Sequence, residues 1–208
     1  MHSEELEKRR REEIVDACEK LHAASGFAGT TLKDIARETS MSRPSVYNYF
    51  RTKEEIFLAL FAREYDRWNA DLAKLAAARG PLPPRTLADR LAATLEPRGL
   101  LLRLLSMNIY DMEAGSRVEN LVAFKKSYGA SIRLVEEILA KHAPGLGARG
   151  REAFVWAFFP FLFGVHPYTA VTDKQREAMA AAGVAFPYPS VRRLVRDFAL
   201  RLLSREMK

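Results

Sequence analysis

Residues 30–50, TTLKDIARETSMSRPSVYNYF, decide the fold of the chain, because they hold the start and stop signals of two short helices. Thr31 with Asp34 three residues later has the spacing of a capping box, so a first helix is predicted to begin directly after Thr31. The polar run at residues 39–42 ends it, since hydroxyl side chains there hydrogen-bond their own backbone. Pro44 suits the first turn of a second helix, where its missing N–H has no intrahelical partner. The stretch therefore predicts a helix-turn-helix.

The second helix is predicted to have one inward and one outward face. Val46 and Phe50, four residues apart, share the inward face. The outward positions are Arg43, Pro44, Ser45, Tyr47, Asn48 and Tyr49. Such a face suits a duplex, whose phosphates accept hydrogen bonds and whose major groove exposes base edges. The alternative, from this pattern alone, is that the two short helices merely pack together.

The residues around this motif carry a family pattern over roughly the first third of the chain. They are Ile14, Ala17, Leu21, Gly26-Phe27, Thr30-Thr31, Asp34-Ile35-Ala36, Ser42, Val46-Tyr47, Tyr49-Phe50 and Lys53-Glu54. Together they resemble the N-terminal signature of the tetracycline-repressor (TetR) family. The resemblance implies an all-α fold, with an N-terminal three-helix helix-turn-helix DNA-binding domain and a larger C-terminal α-helical ligand-binding and dimerisation domain. It also implies a ligand-responsive transcriptional regulator, expected to be a repressor, that binds operator DNA as a homodimer.

The same resemblance implies which side chains touch DNA. Phosphate contacts are implied at Thr31, Tyr47, Tyr49 and Lys53, and base-edge contacts at Ser42, Arg43, Pro44, Ser45 and Asn48. Residues 27–53 hold 5 basic and 2 acidic residues, whereas residues 1–55 hold 10 basic and 11 acidic ones. The net charge of +7 is therefore no evidence for DNA binding by itself, and only the local excess supports it.

The rest of the chain is predicted to be helical as well. Thr52 and Glu55 form a capping box that opens a long helix, which ends near Ala78 before a proline-rich segment. Residues 1–52 are predicted to be the DNA-binding domain and residues 53–208 the ligand-binding and dimerisation domain, with helix 53–78 as the connecting lever. Later helices are expected over residues 100–112, 116–142, 173–182 and 190–204.

A wholly apolar segment predicts where two copies of the chain meet. Residues 153–165, AFVWAFFPFLFGV, contain no polar side chain and are too short to cross a bilayer, so protein must cover them on both sides. The predicted dimer interface comprises Phe154, Phe158, Leu162, Val191, Leu194, Val195, Phe198 and Leu202. The alternative is that the apolar residues of both segments, 153–165 and 191–202, only complete the core of one chain.

Aromatic side chains of the long helices predict a pocket for a hydrophobic or aromatic small molecule. The candidate ligand-binding residues are Trp68, Met107, Asn108, Tyr110, Phe124, Tyr128, Trp156, Phe159, Phe163 and His166. Pro160 favours such a pocket, because a proline inside a helix frees a carbonyl and kinks the chain. The alternative is a filled core.

Several other classes of function are disfavoured. The lone Cys18 lies on the apolar side of the first helix, and the four histidines are scattered, so no metal or cofactor is predicted. No catalytic motif is present, which argues against an enzyme. Without a signal peptide or an apolar run of membrane length, we expect a cytoplasmic protein. Two rival interpretations are an α-helical small-molecule binding protein and an architectural DNA-binding protein that no ligand releases.

Overall fold

The computed structural model describes residues 2–107 and 109–204, and every regular element in these two ranges is a helix. The helices are α1 (His2–Ser25), α2 (Leu32–Arg37), α3 (Arg43–Tyr49), α4 (Lys53–Ala77), α5 (Pro84–Leu95), α6 (Gly99–Leu105), α7 (Ile109–Ala114), α8 (Val118–His142), α9 (Gly147–Thr169), α10 (Asp173–Ala181) and α11 (Val191–Ser204). A short 3-10 turn, Pro144–Leu146, precedes α9. The predicted all-α fold is confirmed.

The described residues pack into two units. The first contains residues 2–63 and 109–127, and the second contains residues 64–107 and 128–204. The first unit thus includes α7 and the start of α8 beside the three N-terminal helices. This grouping reflects packing, and the predicted functional boundary after residue 52 stays a prediction.

Local capping explains why the first unit begins with three helices. The Thr31 hydroxyl accepts a hydrogen bond of 3.2 Å from the Asp34 N–H and starts α2, and Ser42 accepts one of 3.3 Å from the Ser45 N–H and starts α3. Gly26 follows α1 with a φ of 70°, a left-handed conformation that glycine adopts without a steric cost. The fully buried core of the unit includes Ile14, Cys18, Ile35, Val46, Phe50 and Phe57.

The predicted helix over residues 100–112 is wrong, because the structure has two helices there, α6 and α7. The Ser106 hydroxyl donates to the Arg103 carbonyl at 2.7 Å, and the Met107 N–H donates to the Leu104 carbonyl at 3.1 Å. These local bonds tighten the last turn of α6 and end it. A stripe of leucines predicts helix in this region but does not show where it is interrupted.

In the second unit α5, α6, α9 and α11 pack around a core of leucine and phenylalanine side chains. Arg192 of α11 makes two hydrogen bonds with Asp89 of α5, at 3.0 and 2.7 Å, at the edge of this packing. Among the described residues, no single helix has the length and apolarity to cross a membrane, although the bent pair 144–169 and 173–181 meets that criterion by length and composition.

Candidate nucleic-acid interface

Helix α3 presents the polar face that its sequence predicts. Val46 and Phe50 are fully buried, which anchors one side of the helix in the core of the first unit. On the other side Arg43 and Asn48 are exposed, and Tyr47 keeps 39% of its surface accessible. The first unit therefore displays a row of hydrogen-bonding groups on a helix whose own position is fixed by packing.

Two of these outward side chains already contact each other. The Arg43 guanidinium donates a 3.2 Å hydrogen bond to the Tyr47 hydroxyl, and its carbon lies 5.6 Å from the centre of the Tyr47 ring. Since guanidinium has five N–H donors in a planar fork, most of them stay available.

The hydroxyl groups of the interface serve as helix caps. Ser42 and Ser45 lie 2.7 Å apart through their hydroxyl oxygens, and the Thr31 hydroxyl donates to Asp34 at 2.5 Å. The hydrogen bond from Thr31 lowers the pKa of Asp34 below its usual value. Exposed Pro44 and half-buried Tyr49 complete the set of predicted contacts on α3.

Lys53, at which the resemblance implies a phosphate contact, makes several contacts within the first unit. Its ammonium donates to the carbonyls of Phe27 and Thr30, at 3.1 and 3.3 Å, and lies 4.1 Å from the centre of the Phe27 ring. Two of its three donors are therefore engaged within the first unit. The contacts give Lys53 a structural role in holding the loop between α1 and α2.

Two features of this surface escape sequence reasoning. An open groove of about 510 Å³ runs beside the start of α3, and Arg9 and Arg10 of α1 line it together with Ser42 and Ser45. The second feature is Arg117, which bonds to Glu55 although the two residues are 62 positions apart. The sequence of α1 could have indicated the first feature, since Lys8 to Arg11 form a basic run, but no local pattern indicates the second.

Comparison with known proteins decides the family. A model described as "Tetracyclin repressor-like, C-terminal domain" matches residues 62–204, and one described as "Bacterial regulatory proteins, tetR family" matches residues 14–60. The first match alone covers more than half of the chain. The chain belongs to the TetR family. The outward face of α3 is therefore its candidate DNA interface.

Individual relatives match only part of this TetR-family chain. An HTH-type transcriptional regulator of Bacillus subtilis, YfiR, is 34% identical over 74 residues, which is 36% of either chain. The transcriptional repressor AcnR of Corynebacterium efficiens is 37% identical over 54 residues, 26% of this chain and 28% of AcnR. These alignments span about a third of each relative. FadR of Bacillus subtilis, solved in complex with stearoyl-CoA, shares the fold with a TM-score of 0.58 and 13% identity, over 94% of this chain and 98% of that one.

Part of the predicted effector site forms a cluster in the second unit of this TetR-family chain. The ring centre of Phe159 lies 5.9 Å from that of Trp68 and 5.7 Å from that of Tyr128. The Trp68 N–H donates to the Thr94 hydroxyl at 2.9 Å. Burial raises the pKa of the Tyr128 hydroxyl above its usual value.

His166 supplies a further polar group in the same unit. Burial, and then the charge of Arg103, lower the pKa of His166, which favours a neutral ring. Met107 and Phe163 are half-buried.

Other predicted effector residues are placed differently. Trp156 and Tyr110 lie at the surface, with 63% and 79% of their area exposed, and not in the interior that the prediction assigned to them. Phe124 and Tyr110 belong to the first unit, where Phe124 packs on Phe61 with ring centres 5.0 Å apart. Asn108 lies outside the described residues.

The predicted dimer interface needs a correction as well. Four of its members, Phe154, Phe158, Leu162 and Val195, are almost fully buried within the second unit and so close its own core. Because these side chains are inaccessible, they cannot pack on another copy. Val191, Leu194, Phe198 and Leu202 are half-buried and stay at the surface.

The exposed face of α9 lies elsewhere on the helix. Ala153, Trp156, Pro160 and Gly164 recur there at intervals of three and four residues and are all exposed. Pro160 therefore belongs to this surface, and its exposure gives no support to the expectation that it favours an interior pocket. At the edge of this face Phe161 stacks on Phe198 of α11, with ring centres 3.9 Å apart and planes inclined by 11°. We call these residues the α9–α11 apolar face.

Proposed function

We propose that this chain represses transcription by binding a specific DNA sequence as a homodimer, and that a hydrophobic or aromatic small molecule releases it. The single observation that carries the proposal is the outward face of α3, on which Arg43, Tyr47 and Asn48 stand exposed above the buried Val46 and Phe50. Side chains of this kind pair with base edges and phosphates, and the buried side fixes their position.

Dimerisation is supported by the α9–α11 apolar face. Trp156 exposes 63% of its surface, and its neighbours on the face, Pro160 and Gly164, carry no charge. Exposed apolar surface of this kind on a helix pair marks a contact with another protein. A second copy of the chain fits best, because one two-fold contact sets two recognition helices at the spacing of a symmetric DNA site.

The class of effector is supported by the cluster around Phe159. Its aromatic rings are apolar and Tyr128 adds a hydroxyl beside Phe159, while His166, in the same unit, favours a neutral ring that can hydrogen-bond. A few polar groups in an apolar setting suit a ligand with one polar end and an apolar body. The complex of the similarly folded FadR with stearoyl-CoA supports the same class.

Selection from a random duplex library tests DNA recognition without knowledge of the operator. We expect enrichment of a two-fold symmetric sequence whose half-sites are separated by one helical turn of about 10 base pairs, or a multiple of it. Binding to the selected duplex should weaken steeply with salt. Retention on DNA without enrichment of any sequence would favour an architectural protein, and no binding at all would favour a small-molecule binding protein.

Release is tested on the selected duplex with a panel of compounds. The panel should pair long-chain acyl thioesters and aromatic acids with short, polar analogues of each. We expect displacement by apolar members and not by their polar analogues. If no compound displaces the DNA, the effector part of the proposal fails while DNA recognition stands.

A further inference from the structure

The carboxylate of Glu55 accepts several hydrogen bonds close to the end of α3. It accepts hydrogen bonds from the Arg51 N–H at 2.7 Å, and from the N–H, Nε and Nη2 of Arg117 at 3.1, 2.7 and 2.9 Å. The Glu55 side chain is only 1% exposed. A buried carboxylate is stable only when it is paired, so Glu55 requires Arg117.

Arg117 also reaches the end of the recognition helix. Its Nη2 donates a 3.2 Å hydrogen bond to the carbonyl of Tyr49, the last residue of α3. The last carbonyls of a helix have no partner inside it, and a cation there complements the helix dipole. One guanidinium therefore joins the C-terminal end of α3 to the first turn of α4.

A second contact holds the same segment in place. The Thr52 hydroxyl donates to the Gly115 carbonyl at 2.9 Å. A Cβ on Gly115 would lie 2.9 Å from the Glu54 side chain, so the α7–α8 turn packs closely on α4. The position of Arg117 next to α3 is thus fixed by backbone packing as well as by its own ion pair.

Helix α3 needs such external support. It has seven residues, and helices of this length are not stable in water without tertiary contacts. Its N-terminal end is capped by Ser42 and its inward side is anchored by Val46, so Arg117 supplies the contact at its C-terminal end.

We infer that Arg117, oriented by Glu55, is a positioning residue for DNA recognition, because it fixes the C-terminal end of α3 without touching DNA itself. This inference rests on the proposed binding of a specific duplex by α3. Since Arg117 directly precedes α8, the α7–α8 turn becomes a support of the recognition helix in addition to α2.

The test compares three variants on the selected duplex: Arg117→Ala, Arg117→Lys and Glu55→Gln. Arg117→Ala should weaken specific binding by about tenfold or more, since it leaves Glu55 without its ion-pair partner and the Tyr49 carbonyl without its guanidinium donor. Arg117→Lys keeps the charge but lacks the planar fork that serves both acceptors, so it should bind between Arg117→Ala and the unchanged protein. Arg176→Ala, an exposed arginine of α10, is the matched control and should bind normally.

Two readouts separate positioning from a general loss of fold. Amide hydrogen exchange in Arg117→Ala should rise over residues 46–51 and stay unchanged over α1. The double variant that combines Arg117→Ala with Glu55→Gln should bind the duplex within about twofold of Arg117→Ala alone, because both changes break the same interaction.

The inference is overturned if Arg117→Ala binds within about twofold of the unchanged protein. It is overturned equally if exchange rises throughout α1, α2 and α3, because the arginine would then stabilise the whole unit. Where Arg117→Ala does not fold, the comparison of Arg117→Lys with Arg176→Ala decides. Failure of the unchanged protein to select any duplex would refute the proposed function instead, which is a different result.

Discussion

Arg43 is the side chain of α3 that we propose reads a base. It occupies the first turn of the helix, is exposed, and is held beside Tyr47. Replacing Arg43 with alanine should cost ~1–3 kcal/mol of binding free energy and relax the preference at one base pair. A repeated duplex selection with the variant measures this directly, with Arg176→Ala as control. Weakened binding with an unchanged sequence preference would assign Arg43 to a phosphate.

Lys53 has a structural role that leads to a different expectation. Its two hydrogen bonds to the carbonyls of Phe27 and Thr30 tie α4 to the loop after α1. Lys53→Ala should therefore lower the free energy of unfolding by roughly 1–3 kcal/mol, the value of a hydrogen bond to a charged group. Urea unfolding measures the loss, and Lys33→Ala, an exposed lysine of α2, is the control. If stability is unchanged while every duplex is bound more weakly, the phosphate contact that the resemblance implies is the better assignment.

Glu55 should make the stability of the chain depend on pH in an acid window. Burial alone would raise the pKa of Glu55, but hydrogen bonds from Arg117 and from the Arg51 N–H outweigh burial and hold the pKa at about 2. A carboxyl group whose pKa is lower in the folded than in the unfolded state stabilises the fold at pH values above its unfolded-state pKa. That stabilisation is lost as the pH falls through the folded-state pKa. The window therefore lies between about pH 4.5 and 2.

The Glu55→Gln variant isolates this contribution from that of the other carboxylates. At pH 7 it should be less stable than the unchanged protein, and the difference should shrink steadily as pH falls through the window. Urea midpoints at several pH values between 7 and 2 measure it. A difference that does not change with pH would show that Glu55 acts through packing and not through its charge.

Among the helices, the features that the sequence predicts correctly are those whose start and stop signals lie within a few residues of one another. Thr31 and Ser42 start α2 and α3 as their hydrogen-bonding side chains indicate, and Pro44 takes its predicted place in the first turn. The capping box at Thr52 is only half present. The Glu55 N–H donates to the Thr52 hydroxyl at 3.2 Å, but the Glu55 carboxylate bonds Arg51 and Arg117 instead.

The parts that sequence reasoning misses depend on partners that are distant in sequence. An apolar run such as residues 153–165 predicts a helix that is covered by protein on all sides. It does not show which side of that helix faces the core of the same chain. The structure buries Phe154 and Phe158 and exposes Trp156, which reverses the predicted roles of these positions. Likewise, nothing near Arg117 in the sequence indicates that its guanidinium reaches Tyr49.

The α9–α11 apolar face gives a prediction at this scale. Trp156→Lys should convert a dimer into a monomer, because the free energy gained by burying the Trp156 side chain in the interface is lost. The lysine would also place an unpaired charge in that interface. Since Trp156 is mostly exposed in one chain, the variant should fold normally. Sedimentation velocity measures the state, with Tyr110→Lys as a control for an exposed aromatic elsewhere. A Trp156→Lys variant that stays dimeric would place the interface on another surface.

In the whole molecule, regulation requires that a bound small molecule changes the affinity of the chain for DNA. The proposed DNA interface on α3 lies in the first unit, whereas the aromatic cluster around Phe159 lies in the second. A small molecule that weakens DNA binding tenfold must bind the released arrangement ~1.4 kcal/mol better than the DNA-bound one. By linkage, DNA must then weaken the binding of that molecule by the same factor.

Trp68 allows this reciprocity to be measured, because the chain contains only 2 tryptophans and the other, Trp156, is exposed. In Trp156→Phe, Trp68 is the sole tryptophan and its fluorescence should respond to a displacing compound bound near Phe159. Titrating the compound with and without saturating duplex should give two dissociation constants whose ratio equals the loss of DNA affinity that the compound causes. Trp68→Phe, which leaves only Trp156, should respond little. If Trp68 fluorescence reports binding of the same strength with and without DNA, the compound at this cluster does not regulate DNA binding.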